Sequence, residues 1–236
     1  MTKKVNMPAC DDCASRLCSV FNELSDEEME EISHSKGGNL YKRGQIIFYE
    51  GTHPSGLYCI NYGKIKIYKI DHTGKEQIVR LAKGGDILGY RSLISGELYS
   101  SFASPLEDSL ICFIPRSVFF SLLQTNANLS MKIMKMLSMD LKSAETRIAN
   151  MAQKPVRERL AETLLILKEF YGVEDDKATL DVALTREDLA NVVGTATETV
   201  IRLLSEFKHD RIIDLKGRKI KIIDPILLVK TANIFD

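Results

Sequence analysis

The 236-residue chain has no excess of charge of either sign. Its 32 lysines and arginines stand against 32 aspartates and glutamates, so the bulk balance gives no sign of a polyanionic partner. Long apolar runs are missing too. The chain is 44% apolar and 27% charged, yet its apolar stretches last only a few residues, which excludes a membrane-spanning helix, a disordered chain and a collagen-like repeat. The start, Met1 to Cys10, lacks the apolar stretch and small-residue cleavage site of a secretory signal, and neither end carries a lipidation motif. These absences lead us to expect a cytoplasmic globular protein of one large or two modest domains, with no membrane partner. There is no Ser/His/Asp or Cys/His arrangement, no Walker glycine loop and no His-Glu-x-x-His, so the chain is not expected to be an enzyme.

Five cysteines are present: Cys10, Cys13, Cys18, Cys59 and Cys112. In a reducing compartment they are not expected to form a disulfide framework. The first three fall within nine positions, and clustered thiols of this kind point to metal or redox chemistry. Cys59 reads as a small apolar residue of a strand, and Cys112 admits the same reading.

The order of patterns divides the chain. Ser25, with Glu28 three residues on and acids in the first turn, predicts a capped amphipathic helix. From about Gly38 to Pro115, short alternating runs such as Lys64 to Ile70 are punctuated by glycines, which predicts a β-sandwich, barrel or roll. Proline and glycine then nearly vanish. Between Leu129 and Met151 the apolar positions Met134, Leu137, Leu141, Ala144, Ile148 and Met151 are spaced 3, 4, 3, 4 and 3 apart, the seam of a coiled coil. A dimerisation helix is the expectation; a long helix packed on its own domain is the alternative. A second helix is expected over Val156 to Tyr171 after Pro155, then a loop, then short helices and a strand near Arg218 to Ile223.

The segment Thr185 to Leu204 carries the most chemistry. Thr185 is a good N-cap answered by Asp188, and Gly194 stands where a tight turn between two helices needs positive φ. Ala190 is small where the helices would cross, and Leu189, Val193, Val200 and Leu203 supply a buried face. This is a helix-turn-helix pattern, and the first half of its second helix would enter the major groove. Thr197, Glu198, Ile201 and Arg202 then face the bases. Arginine pairs bidentately with guanine and glutamate accepts from cytosine, so Glu198 and Arg202 suit neighbouring G·C pairs; an ordinary i,i+4 surface pair is the other reading. Thr185, Arg186, Thr195 and Thr199 suit phosphate oxygens. Residues 202–221 hold seven basic against three acidic side chains. Lys216, Arg218 and Lys219 surround Gly217 in what reads as a basic β-hairpin wing.

Taken in order, these segments make the whole chain resemble a Crp–Fnr family transcription regulator. The resemblance rests on Lys83-Gly84-Gly85-Asp86-Ile87-Leu88-Gly89 and on Thr185 to Leu204, with Glu198-Thr199-Val200-Ile201-Arg202 at its centre. It implies an α+β fold: an N-terminal antiparallel β-roll of the cyclic-nucleotide-binding jelly-roll type, a long dimerisation helix and a C-terminal winged helix-turn-helix. The implied limits are 1–20 for a cysteine-rich segment, 21–125 for the roll, 126–152 for the helix and 153–236 for the DNA-binding domain. Glu198 and Arg202 match the family residues that read a TGA-like half-site. A homodimer on a palindromic operator follows, with RNA polymerase as a further partner.

The resemblance also locates the effector region. Where cyclic-nucleotide binders carry a ribose-holding acid and a phosphate-holding arginine, this chain has Gly89-Tyr90-Arg91 and Ser100-Ser101, so cyclic AMP is not expected. Cys10-x2-Cys13-x4-Cys18 with Cys112 is similar to the oxygen-sensing Fnr branch, in which four such cysteines ligate a [4Fe–4S] cluster. The spacing before Cys18 is one residue shorter than in that branch. Four thiolates suit such a cluster or zinc; a thiol redox switch and no metal stay open. The alternative readings are a regulator responding to a cyclic nucleotide or other small ligand without metal, and a sensor module that binds no DNA.

Overall fold

The computed structural model describes residues 8–10 and 12–234; residues 1–7 and 11 of the expected cysteine-rich segment lie outside the described residues. The chain forms two compact units, one drawn from residues 1–73 and 79–142, the other from 74–78 and 143–236.

In the first unit a 3-10 turn, Ala14–Cys18, precedes α1 (Asp26–Ser35). The Ser25 hydroxyl accepts from the Glu28 amide while the Glu28 carboxylate accepts from the Ser25 amide, the reciprocal cap that the spacing predicts. Seven strands follow: β1 (Gly37–Tyr41), β2 (Gly56–Tyr62), β3 (Lys64–Ile70), β4 (Glu76–Lys83), β5 (Ile87–Leu88), β6 (Phe102–Pro105) and β7 (Ser109–Pro115). They form two sheets, ordered β1-β7-β2-β5 and β4-β3-β6. Gly63 joins β2 to β3 at φ +113°, and a Cβ there would fall 2.0 Å from the Ser109 hydroxyl, so only glycine fits.

Alternation along each strand decides which core a side chain enters. On β2, Tyr58 and Ile60 turn into the roll, packing with Phe48, Ile65, Tyr99 and Ile111. Leu57 and Cys59 turn outward into a second core with Phe21, Met29, Ile32 and Ile114. Between β5 and β6 lies α2 (Tyr90–Ser95), flanked by Gly89 and Gly96 in the left-handed conformation. The sequence reading has no helix here, because six residues between two glycines look like a turn. After β7 come α3 (Arg116–Thr125) and α4 (Ala127–Gln153). Phe119 and Leu122 of α3 and Leu129 and Ile133 of α4 close the outer core.

α4 is one continuous helix of 27 residues. Most of its expected seam is open to solvent: Met134 is 52% exposed, Leu141 61% and Ile148 70%. Ala144 and Met151 are exposed too, while Leu137 is half-buried against the outer core.

In the second unit α5 (Val156–Tyr171) follows Pro155, with Leu160, Leu164 and Leu167 buried. Then come α6 (Arg186–Val193), α7 (Thr197–His209), the paired strands β8 (Ile213–Lys216) and β9 (Lys219–Ile222), and α8 (Pro225–Ala232). The helix-turn-helix core is Leu189, Ala190, Val193, Val200, Leu203 and Phe207, all buried.

Candidate functional site

Thr185 begins the reader. Its hydroxyl accepts from the Asp188 amide at 2.9 Å and donates to the Asp188 carboxylate at 2.7 Å, so the side chain assigned above to phosphate is engaged as a cap. Gly194 follows α6 at φ +75°, the left-handed turn its position predicts. Beyond the turn, Glu198, Ile201 and Arg202 lie exposed on α7, with Thr195, Thr197 and Thr199 partly covered. Ile201 is thus exposed on a helix whose Val200, Leu203, Leu204 and Phe207 are buried.

The Arg202 guanidinium donates to the Glu206 carboxylate, one turn farther along α7. The other Glu206 oxygen accepts from Arg157 Nη1 at 2.8 Å, and Arg157 Nη2 donates to Asp210 at 2.8 Å. The i,i+4 pairing suggested between Glu198 and Arg202 is therefore replaced by one with Glu206, which the sequence reading missed. Glutamate N-terminal to arginine and glutamate C-terminal to it are equally spaced, and only the anchoring Arg157 on α5 separates them.

Arg186 Nη2 donates to the Gly217 carbonyl at 2.9 Å, bracing the wing turn, where Gly217 has φ +60°. Lys219 lies 2.6 Å from Glu174, and that hydrogen bond raises its ammonium above the ordinary lysine value. Lys216 and Arg218 are exposed at the tip with no ion-pair partner among the described residues. The basic character of the wing is thus concentrated on two side chains.

In the roll, Tyr90 is buried, and its hydroxyl meets Arg80 Nη1 at 2.7 Å and the Asp140 carboxylate of α4. Arg91 Nη2 reaches the same carboxylate at 3.0 Å. Both residues at the family's effector position are thus turned to α4. Ser100 is exposed and Ser101 partly covered. The Phe48 and Tyr99 rings stack at 4.2 Å and occupy the roll interior, and a Cβ on Gly89 would meet the Tyr99 ring at 3.1 Å.

Four of the five cysteines line one cavity: Cys10, Cys13, Cys59 and Cys112. Lys36 Nζ donates to Cys10 Sγ at 3.1 Å, and Asn61 Nδ2 donates to Cys13 Sγ at 3.0 Å. Cys18 is not among the lining residues; it is exposed at the end of the 3-10 turn, beside Gly85. Burial pushes the Cys59 thiol well above its ordinary value, with Cys112, Cys10 and Cys13 adding and Lys36 opposing. Burial likewise raises Cys112 to about 11, against the pull of Lys36. Among the described residues no three His, Cys, Asp or Glu side chains converge on a single ion site. A [4Fe–4S] cluster asks for something else: four thiolates, each on its own iron, spread around it. Four cysteines on the walls of one cavity fit that donor chemistry.

A two-sheet roll followed by a helix-turn-helix and a basic wing defines the class: a DNA-binding regulator with a sensor-type roll. Residues 39–126 match the family described as cyclic nucleotide-binding domain, and residues 158–230 match the Crp-like helix-turn-helix domain. The chain is 32% identical over 229 residues to the fumarate and nitrate reduction regulatory protein of Vibrio cholerae, covering 95% of this chain and 90% of that one. It is 30% identical over 227 residues to the anaerobic regulatory protein of Pasteurella multocida, covering 95% and 82%. The solved structure of FixK2 from Bradyrhizobium japonicum shares the fold with a TM-score of 0.77 at 23% identity, over 85% of this chain and 99% of that one. The chain belongs to the Crp–Fnr family and is a DNA-binding transcription regulator. No helix among the described residues is long and apolar enough to cross a membrane.

Proposed function

We propose that this regulator works as a homodimer that reads a palindromic operator and responds to oxygen or another redox signal. The exposed residues Glu198, Ile201 and Arg202 of α7, together with the exposed Lys216 and Arg218 of the wing tip, carry the DNA half of this reading. Glu198 and Arg202 read base edges with Thr197 and Ile201 facing the bases beside them, and Thr195 and Thr199 with the wing tip hold phosphates. Joining two copies through the α4 seam covers Met134, Leu141 and Ile148 and sets two half-sites about one helical turn apart. RNA polymerase is the partner through which bound protein acts on transcription.

Cys10, Cys13 and Cys112 supply three thiolates to a [4Fe–4S] cluster, with Lys36 and Asn61 placed to donate to sulfur. Bound there, the cluster supplies a centre sensitive to oxidants. The relatives named for fumarate and nitrate reduction and for anaerobic regulation support a redox signal. Selection of bound sequences from a random duplex pool tests the whole reading, using protein purified anaerobically and the same protein exposed to air. A palindrome enriched only by the anaerobic protein is expected; a pool with no enriched symmetry under either condition overturns it.

A further inference from the structure

We infer that the fourth thiolate comes from Cys59 rather than from Cys18. This rests on the cluster reading above and goes beyond it by changing the ligand set. β2 and β7 run antiparallel with Cys59 directly opposite Cys112. Directly opposed residues project to the same face of a sheet. That face is the outer one, since Leu57 and Ile114, two positions along on each strand, are both buried in the outer core. The two strand thiols therefore face the cavity that Cys10 and Cys13 also line.

Cys18 is placed differently. The 3-10 turn Ala14–Cys18 carries it past the cavity, and its side chain ends exposed beside Gly85. A 3-10 helix advances about 2 Å per residue with three residues per turn, so Cys18, five positions after Cys13, is displaced both along and around the turn. The local environment favours the inner four. Each thiol loses its proton as its sulfur bonds an iron, and the resulting anionic assembly has the Lys36 ammonium 3.1 Å from Cys10 Sγ. Phe21, Met29 and Ile32 complete an apolar wall that keeps water from the sulfurs. With this ligand set, two donors come from the N-terminal segment and two from the β2–β7 pair. The cluster then fastens the segment to the sheet.

The test compares wild type, Cys18→Ser and Cys59→Ala after anaerobic reconstitution, by iron and acid-labile sulfide content and visible absorption. Alanine keeps the site small and apolar, and circular dichroism with a melting curve establishes that the variant is folded. Cys18→Ser is expected to hold iron and sulfide at the wild-type level, while Cys59→Ala loses them severalfold. A second measurement needs no variant. In loaded wild type, iodoacetamide should label Cys18 as fast as in chelator-treated protein, while Cys10 and Cys13 become protected. Protection of Cys18 on loading, or full iron in a folded Cys59→Ala beside an empty Cys18→Ser, overturns the inference and leaves the cluster reading intact. Reconstituted wild type without iron overturns both.

Discussion

Glu206 holds Arg202 on one carboxylate oxygen and Arg157 on the other. The residue expected to read guanine is thus tied in the free protein to an acid that Arg157 keeps in place. An exposed pair of this kind contributes about 0.2–1 kcal/mol, less than a bidentate base contact at about 1–3 kcal/mol, so DNA can win the arginine. Glu206→Gln replaces a charged acceptor by a weaker neutral one and removes one negative charge near the phosphates. Binding to a selected operator should tighten by roughly two- to fivefold, corresponding to about 0.5–1 kcal/mol. Fluorescence anisotropy at fixed salt measures it, and weaker binding by the variant would show that Glu206 positions Arg202 instead of restraining it.

Arg202→Ala should cost about 1–3 kcal/mol on the operator and relax one base position in each half-site. Selection from a randomised half-site reads this directly. Equal loss on every sequence would mean that Arg202 contacts phosphate.

The α4 seam gives a test with little folding risk. Ile148 is 70% exposed, so Ile148→Glu should change the stability of one chain by no more than about 0.5 kcal/mol. In a dimer it places like charges across the two-fold axis. Sedimentation at micromolar concentration should shift to monomer, with operator affinity falling in step. An unchanged dimer would assign the seam to another role.

Thr185→Ala removes the hydroxyl that caps the Asp188 amide and donates to the buried Asp188 carboxylate, leaving only the backbone half of the cap, from the residue 185 amide. A loss of about 1–2 kcal/mol is expected in denaturant unfolding. If DNA affinity falls with no loss of stability, Thr185 serves phosphate in addition to the cap.

Tyr90→Phe keeps the buried ring and deletes the hydroxyl that meets Arg80 and Asp140. A hydrogen bond to charged partners is worth about 1.5–3 kcal/mol, so denaturant unfolding should show a loss of stability of that order. A variant as stable as wild type would show that Arg80 and Arg91 satisfy Asp140 without it.

Local chemistry was legible wherever neighbours in sequence are neighbours in space. The Ser25–Glu28 and Thr185–Asp188 caps, the left-handed turn at Gly194 and the helix after Pro155 depend on contacts three or four residues apart, and each stands where its pattern put it. The helix-turn-helix and the all-β character of the first half were legible for the same reason, as alternation and helical periodicity survive without tertiary context, while the choice of a roll over a sandwich or barrel came from the family resemblance. α2 was not, because its six residues are held by the burial of Tyr90 and Leu93 in the outer core rather than by propensity.

Periodicity and turn signals by themselves established a glycine-punctuated all-β segment, a seam-bearing helix and a capped helix-turn-helix with a basic wing, all encoded in short-range spacing, and the resemblance to the Crp–Fnr family joined them into a regulator. Which thiols share a cavity, and which acid holds Arg202, depended on strand register and on an arginine 45 residues away in sequence. A period-two pattern tells that Cys59 and Cys112 lie on strands, but it carries no information about which residue stands opposite which. Pairing across β2 and β7 supplied that, and it set Cys59 and Cys112 side by side on one face of the sheet.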